Sequence, residues 1–192
     1  MKKLMISAAA AAAVMISSQA NAQALPAAVV AVVDLDKVTA ECNACKTAAA
    51  ALKAQIDGIE NRGKTLSGPL QTEQQSIQKA IDALNGKEPD AALQARAKAW
   101  DAKRQQAAQE LQNQQAQVQR NQQYVQKQVL DKLGPIYQQV MQRRGANVMV
   151  EVGSTLAASN SVDVTNDVLS GLNSALPTIS TTAPAQAQPQ GR

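Results

Sequence analysis

The feature that most constrains this chain is a gap. Two valine-rich segments, Ala27 to Val38 (AAVVAVVDLDKV) and Asn147 to Val152 (NVMVEV), are separated by roughly a hundred residues that contain no strand signal. Each segment is a short β-branched apolar run, one preceded by Pro26 and the other bounded by Gly145 and Gly153, and each predicts a buried strand. Whatever lies between must be helical and must bring the chain back to where it started.

The period of that middle region says how it does so. Leu52, Ile56, Ile59, Gly63, Leu66, Leu70, Glu73, Ile77 and Leu84 fall on steps of four and three, a repeat of 3.5 residues with lapses at Gly63 and Glu73. Asn85 to Asp90 (NGKEPD) then breaks the pattern, with Pro89 suited to the first turn of the next helix. A second stripe runs through Leu93, Ala97, Trp100, Arg104, Ala107, Leu111, Gln114 and Val118, then shifts phase to Val125, Val129, Leu133, Ile136 and Val140. The prediction is an antiparallel helical hairpin over 42–144 with its turn near 85–90. Each leg has some 40 residues, about 60 Å at about 1.5 Å per residue. Residue numbers that sum to about 175 should face each other, setting Leu66 near Gln109 and Ile77 near Lys98. Residues 101–128 contain twelve glutamines. Gln and Ala favour helix and bury little apolar area, so the seam is narrow and weak: a spacer coiled coil or an arm that can bend.

The ends of the chain supply the rest of the organisation. Lys2 and Lys3, the apolar run Leu4 to Ile16, and Ala20 and Ala22 around a small-residue exit have the form of a secretory signal peptide over 1–22. The mature chain is therefore expected in an exported, oxidising compartment. Asp163 to Asn173 (DVTNDVLSGLN) predicts a short helix with Thr165 as N-cap, Asp167 in its first turn and Asn173 closing it; "LAASNS" before it suits a third strand or a turn. Residues 174–192 are small, polar and proline-bearing, and composition predicts a disordered tail. The fold class is α+β: a small β-rich body built from 23–41 and 145–173, discontinuous in sequence, carrying a long coiled-coil arm. Two strands and one short helix are too few to bury a core alone, so self-association is expected.

The residues "VAVVDLDKV", the hairpin, and "VMVEVGSTLAASNSVDVTNDVLSGLN" together resemble the Skp (OmpH-like) family of periplasmic chaperones over about residues 28–173. The resemblance implies a homotrimer whose three arms enclose a cavity, in which unfolded outer-membrane proteins are held without ATP. It implies no enzyme activity, no cofactor and no nucleic-acid partner. The arm's second helix has nine basic residues, Arg96, Lys98, Lys103, Arg104, Arg120, Lys127, Lys132, Arg143 and Arg144, against Asp90, Asp101, Glu110 and Asp131. Such an excess could attract acidic clients or anionic membrane lipids, an attraction that salt weakens. Arg96, Lys98, Trp100, Lys103 and Arg104 are the candidate client-contacting residues.

Cys42 and Cys45 are the only cysteines, three residues apart at an expected helix start. They suit a structural pair, reduced or disulfide-bonded, on the seam side with Ala49, Leu52, Ile56 and Ile59. A thiol–disulfide enzyme would need more βαβ structure around the pair than the hairpin leaves room for. A metal held at an oligomer axis would have to manage without histidine, since the chain has none. The alternatives to the chaperone are thus a periplasmic redox enzyme or a passive coiled-coil adaptor.

Overall fold

The computed structural model describes residues 25–185; the expected leader at 1–22 and the end of the tail, 186–192, lie outside the described residues. Strand β1 is Val30–Val33, shorter than its apolar run, because Asp34 caps a helix immediately after it: its Oδ1 accepts the Lys37 N–H at 2.7 Å. Helix α1, Leu35–Glu41, ends at Cys42, and α2, Asn43–Asp82, begins just beyond. Cys42 itself has extended ψ (126°) and is the junction of the two helices. The cysteine stripe is therefore not one continuous helical seam: Cys42 turns into the body core, fully buried, while Cys45 starts the arm.

Helix α3, Ala91–Arg144, returns the chain. Its N-cap is Asp90, whose Oδ1 accepts the Leu93 N–H, so Pro89 stands one residue before the cap rather than in the first turn. The turn between α2 and α3 needs left-handed backbone at Asn85 (φ 47°) and Gly86 (φ 85°), which the Asn-Gly pair supplies. At its far end α3 closes on Gly145 (φ 68°), with the Ala146 N–H bonded to the Met141 carbonyl. Strand β2, Val148–Glu151, then pairs with β1 in parallel, Val30 opposite Val148 and Val33 opposite Glu151. Parallel neighbours require a long crossover, and here the crossover is the entire arm.

"LAASNS" is not a strand. Val152–Ser154 and Asn160–Val162 form single 3-10 turns, and only a bridge between Val32 and Asp163 touches the sheet. Helix α4, Thr165–Ala175, follows Val164. Thr165 is its first residue, not its cap; the Thr165 hydroxyl accepts the Asp34 N–H at 2.9 Å, and Asp163 accepts the Thr165 N–H at 2.8 Å. Asn173 does not close α4 either: its Oδ1 accepts the Asn43 N–H at 2.9 Å and ties the start of the arm to the body. Val164, Val168 and Leu172 of this region meet Ile136 and Val140 of α3 and Val38 of α1 in one core. Gly171 allows the approach, since a Cβ there would stand 2.9 Å from Ile136 Cγ2.

The seam pattern holds along most of the arm. Leu52, Ile59, Leu66, Leu70 and Ile77 on α2, and Ala107, Val118, Val129, Leu133, Ile136 and Val140 on α3, are buried or half-buried. Ile56 and Arg104 are exceptions, both exposed. The tail expectation is corrected for residues 174–185: α4 continues to Ala175, Leu176 is 6% exposed, and Ile179 packs on the body core. Composition missed this because the segment is held mainly by its main chain, which composition does not describe.

Candidate functional site

The candidate surface is the arm, and its polar contacts set its register. Near the root, the Asn121 amide donates to Gln55 Oε1 at 2.8 Å. Further out, Arg62 and Glu110 pair in a two-point contact (2.6 and 3.1 Å), and Arg96 grips Glu73 in the same way (2.6 and 3.2 Å) while also donating to Ser76 at 2.8 Å. The register matches the expected one at the root, but towards the tip the α3 partners lie closer to the turn: Glu73 meets Arg96 rather than Ala102. These hydrogen bonds from guanidinium groups hold the Glu73 and Glu110 carboxyls below the usual carboxylate range. All four side chains are a third or more exposed, so each pair orients the hairpin and adds little stability.

The arm's middle is poorly filled. Pro69 sits inside α2 and has no N–H for the Thr65 carbonyl. Beside it a cavity of about 280 Å³ is lined by Arg62, Thr65, Leu66, Leu70, Lys103 and Ala107, among others. Trp100 bridges the legs here by donating its indole N–H to the Leu70 carbonyl at 2.8 Å.

The five candidate contact residues therefore divide. Arg96 and Trp100 are committed across the hairpin. Arg104 lies over the Trp100 ring, 5.7 Å from its centroid, and pairs with Asp101 at 2.8 Å. Lys98 and Lys103 make no ion pair among the described residues. At the arm root Cys42 and Cys45 are joined by a disulfide with Cα atoms 5.1 Å apart. Cys45 lines an open apolar groove of about 340 Å³ with Leu35, Leu52, Val125, Val129 and Leu130; Leu130 is 58% exposed. Among the described residues there is no cluster of three potential metal ligands and no helix apolar enough to cross a membrane.

The sequence reading missed Gln55, Asn121 and Gln128. Asn121 is 4% exposed and hydrogen-bonded to Gln55, Gln117 and the Ala183 N–H. A signal for it existed: the seven-residue jump from Val118 to Val125 leaves one seam position without an apolar residue, and Asn121 fills it. A buried amide in such a seam fixes which residues face each other.

A small parallel-stranded body from which one long, loosely filled helical hairpin projects is an arm-and-body architecture. The chain belongs to the outer membrane protein (OmpH-like) family, whose model matches residues 29–172. Its fold is similar to a crystal structure of a protein from Caulobacter crescentus CB15 assigned as an OmpH-like outer membrane chaperone, with a TM-score of 0.68 at 20% identity, over 82% of this chain and 90% of that one. No curated protein matches it in sequence.

Proposed function

We propose that this protein is an ATP-independent holdase of the periplasm, a homotrimer whose arms enclose unfolded outer-membrane proteins and keep them from aggregating. The observation that supports this most directly is the arm itself: a 40-residue helix and its return leg whose narrow apolar seam is interrupted at Gly63, by the Arg62–Glu110 and Glu73–Arg96 pairs and by the buried Asn121 amide. A passive spacer gains from a tight seam. A container for chains of different size gains from one that yields.

The body supports the trimer. Apolar Val30, Val148 and Val152 are about two-fifths exposed, and Leu156 stands fully in solvent on the loop beyond β2. A second and third copy covering this surface would complete a core that one chain leaves open. Lys98 and Lys103, which make no ion pair among the described residues, are suited to acidic client segments or anionic lipid headgroups.

The experiment is suppression of aggregation. A urea-denatured β-barrel protein diluted into buffer with the purified mature chain should stay dispersed, without nucleotide, at about one trimer per client. Aggregation at the same rate with and without the chain would refute the holdase.

A further inference from the structure

The segment after α4 is held by side-chain amides that read its main chain. Gln128 makes a two-point contact with Ser180: its Nε2 donates to the Ser180 carbonyl at 2.8 Å and its Oε1 accepts the Ser180 N–H at 3.0 Å. Gln55 Nε2 donates to the Thr181 carbonyl at 3.1 Å, and Asn121 Oδ1 accepts the Ala183 N–H at 2.8 Å. The floor beneath is a stripe of small α2 residues, Ala44, Ala48 and Ala51, the first two almost fully buried. One aliphatic side chain, Ile179, reaches the body core.

A primary amide offers a donor and an acceptor side by side, as the peptide group of a neighbouring strand does. Gln128 therefore recognises a stretch of main chain without regard to its side chains, and Gln55 and Asn121, bonded to each other, add one contact each, a donor to the Thr181 carbonyl and an acceptor for the Ala183 N–H. Such main-chain contacts plus a pocket for one side chain are the general means of binding an extended peptide of loosely specified sequence.

We propose that this groove at the arm root is a binding site for extended polypeptide, self-occupied by residues 177–183, and that a segment of an unfolded client with one aliphatic residue followed by small or β-branched residues displaces them. The proposal deepens the holdase reading and rests on it. Because the occupant is tethered to α4, it competes at an effective concentration on the order of millimolar. A short free peptide is thereby excluded, whereas a long unfolded β-rich chain that presents many such segments, already held by the arms, can enter.

The test uses a fluorescent peptide of the sequence LPTISTTAPA, residues 176–185, and the mature chain with Ser180→Pro, which removes the N–H that Gln128 accepts. Fluorescence anisotropy should show the peptide binding this variant roughly fivefold or more tightly than the parent, from the loss of one hydrogen bond and of the pairing of the Gln128 amide. Adding Gln128→Leu should abolish the gain, and a urea-denatured β-barrel chain should displace the bound peptide. Equal binding by parent and S180P, or a gain that survives Q128L, would overturn the groove and leave residues 177–183 as a brace. Should S180P fail to fold, hydrogen exchange on the parent decides: the amides of Ser180 and Ala183 should lose protection when client is bound, and unchanged protection overturns the proposal. Aggregation suppression without peptide displacement would reject the groove and keep the holdase; displacement without suppression would do the reverse.

Discussion

Shortening the arm separates a container from a spacer. Removing Leu66 through Ala107 and joining Thr65 to Ala108 by a tight turn deletes about twenty residues from each leg, or about 30 Å of a roughly 60 Å arm. The cut is chosen from the observed pairs. It keeps the Gln55–Asn121 and Arg62–Glu110 contacts and the place of Leu111 beside Gly63, where a Cβ would stand 3.9 Å from Leu111 Cδ1. It removes the Glu73–Arg96 pair, the Trp100 bridge and the poorly filled stretch at Pro69. Of the buried apolar residues only Ile77 and Ala107 are lost, and neither belongs to the body core. Burial of these two side chains is worth a few kcal/mol at most, about 3 on an area basis, and all of it lies in the deleted part. The body should therefore keep its urea midpoint and sediment in the same oligomeric state as the parent. If the arms enclose client as proposed, light scattering of a diluted, denatured β-barrel protein should show that the shortened form loses most of its protection at equal chain concentration, because half the arm surface has gone. Equal protection by both forms would show that the outer arm is not a binding surface and would refute the enclosure mechanism.

Three further outcomes test the energetics. Leu172→Ala, at a fully buried site facing α3, should lower stability in urea by about 2–5 kcal/mol; a change below 1 kcal/mol would mean that the α4 core is not as described. Replacing Cys42 and Cys45 together by Ala should leave helix content and client protection intact by circular dichroism and light scattering. Its cost should be about 2 kcal/mol, the loop-closure entropy of a four-residue loop, and a parent with dithiol-dependent reductase activity that the variant lacks would contradict a structural pair. The Asp163 carboxyl is held below its usual range chiefly by the Thr165 hydroxyl and N–H, and Glu73 and Glu110 by their arginines. A depressed carboxyl contributes stability above its unfolded value, near 4, and loses it as pH falls through the folded value. Melting temperature should thus drop below about pH 4, and less steeply in Asp163→Asn; a flat profile down to pH 3 would dismiss these contacts as contributors.

The sequence by itself determined the hairpin, the two strands and the narrow seam. Those features follow from local rules: β-branched runs bounded by Pro and Gly, a 3.5-residue stripe, and an Asn-Gly pair where the backbone must turn left-handed. A stripe states which face of a helix is buried whatever covers it, so Leu66 and Leu133 were legible before their partners were known. What covers each face is decided only when distant segments meet. Arg96 looked like an exposed cation until hairpin closure set Glu73 against it, and the gap between Val118 and Val125 marks Asn121 as a seam position without naming Gln55 and Ala183 as its partners. The parallel register of β1 and β2 required the whole arm to close. The segment after α4 was misread for the same reason. Its small polar side chains carry almost no burial signal, and its place is fixed by main-chain groups that every residue possesses, matched to three amides lying 55, 121 and 128 residues into the chain that only the folded arm brings side by side.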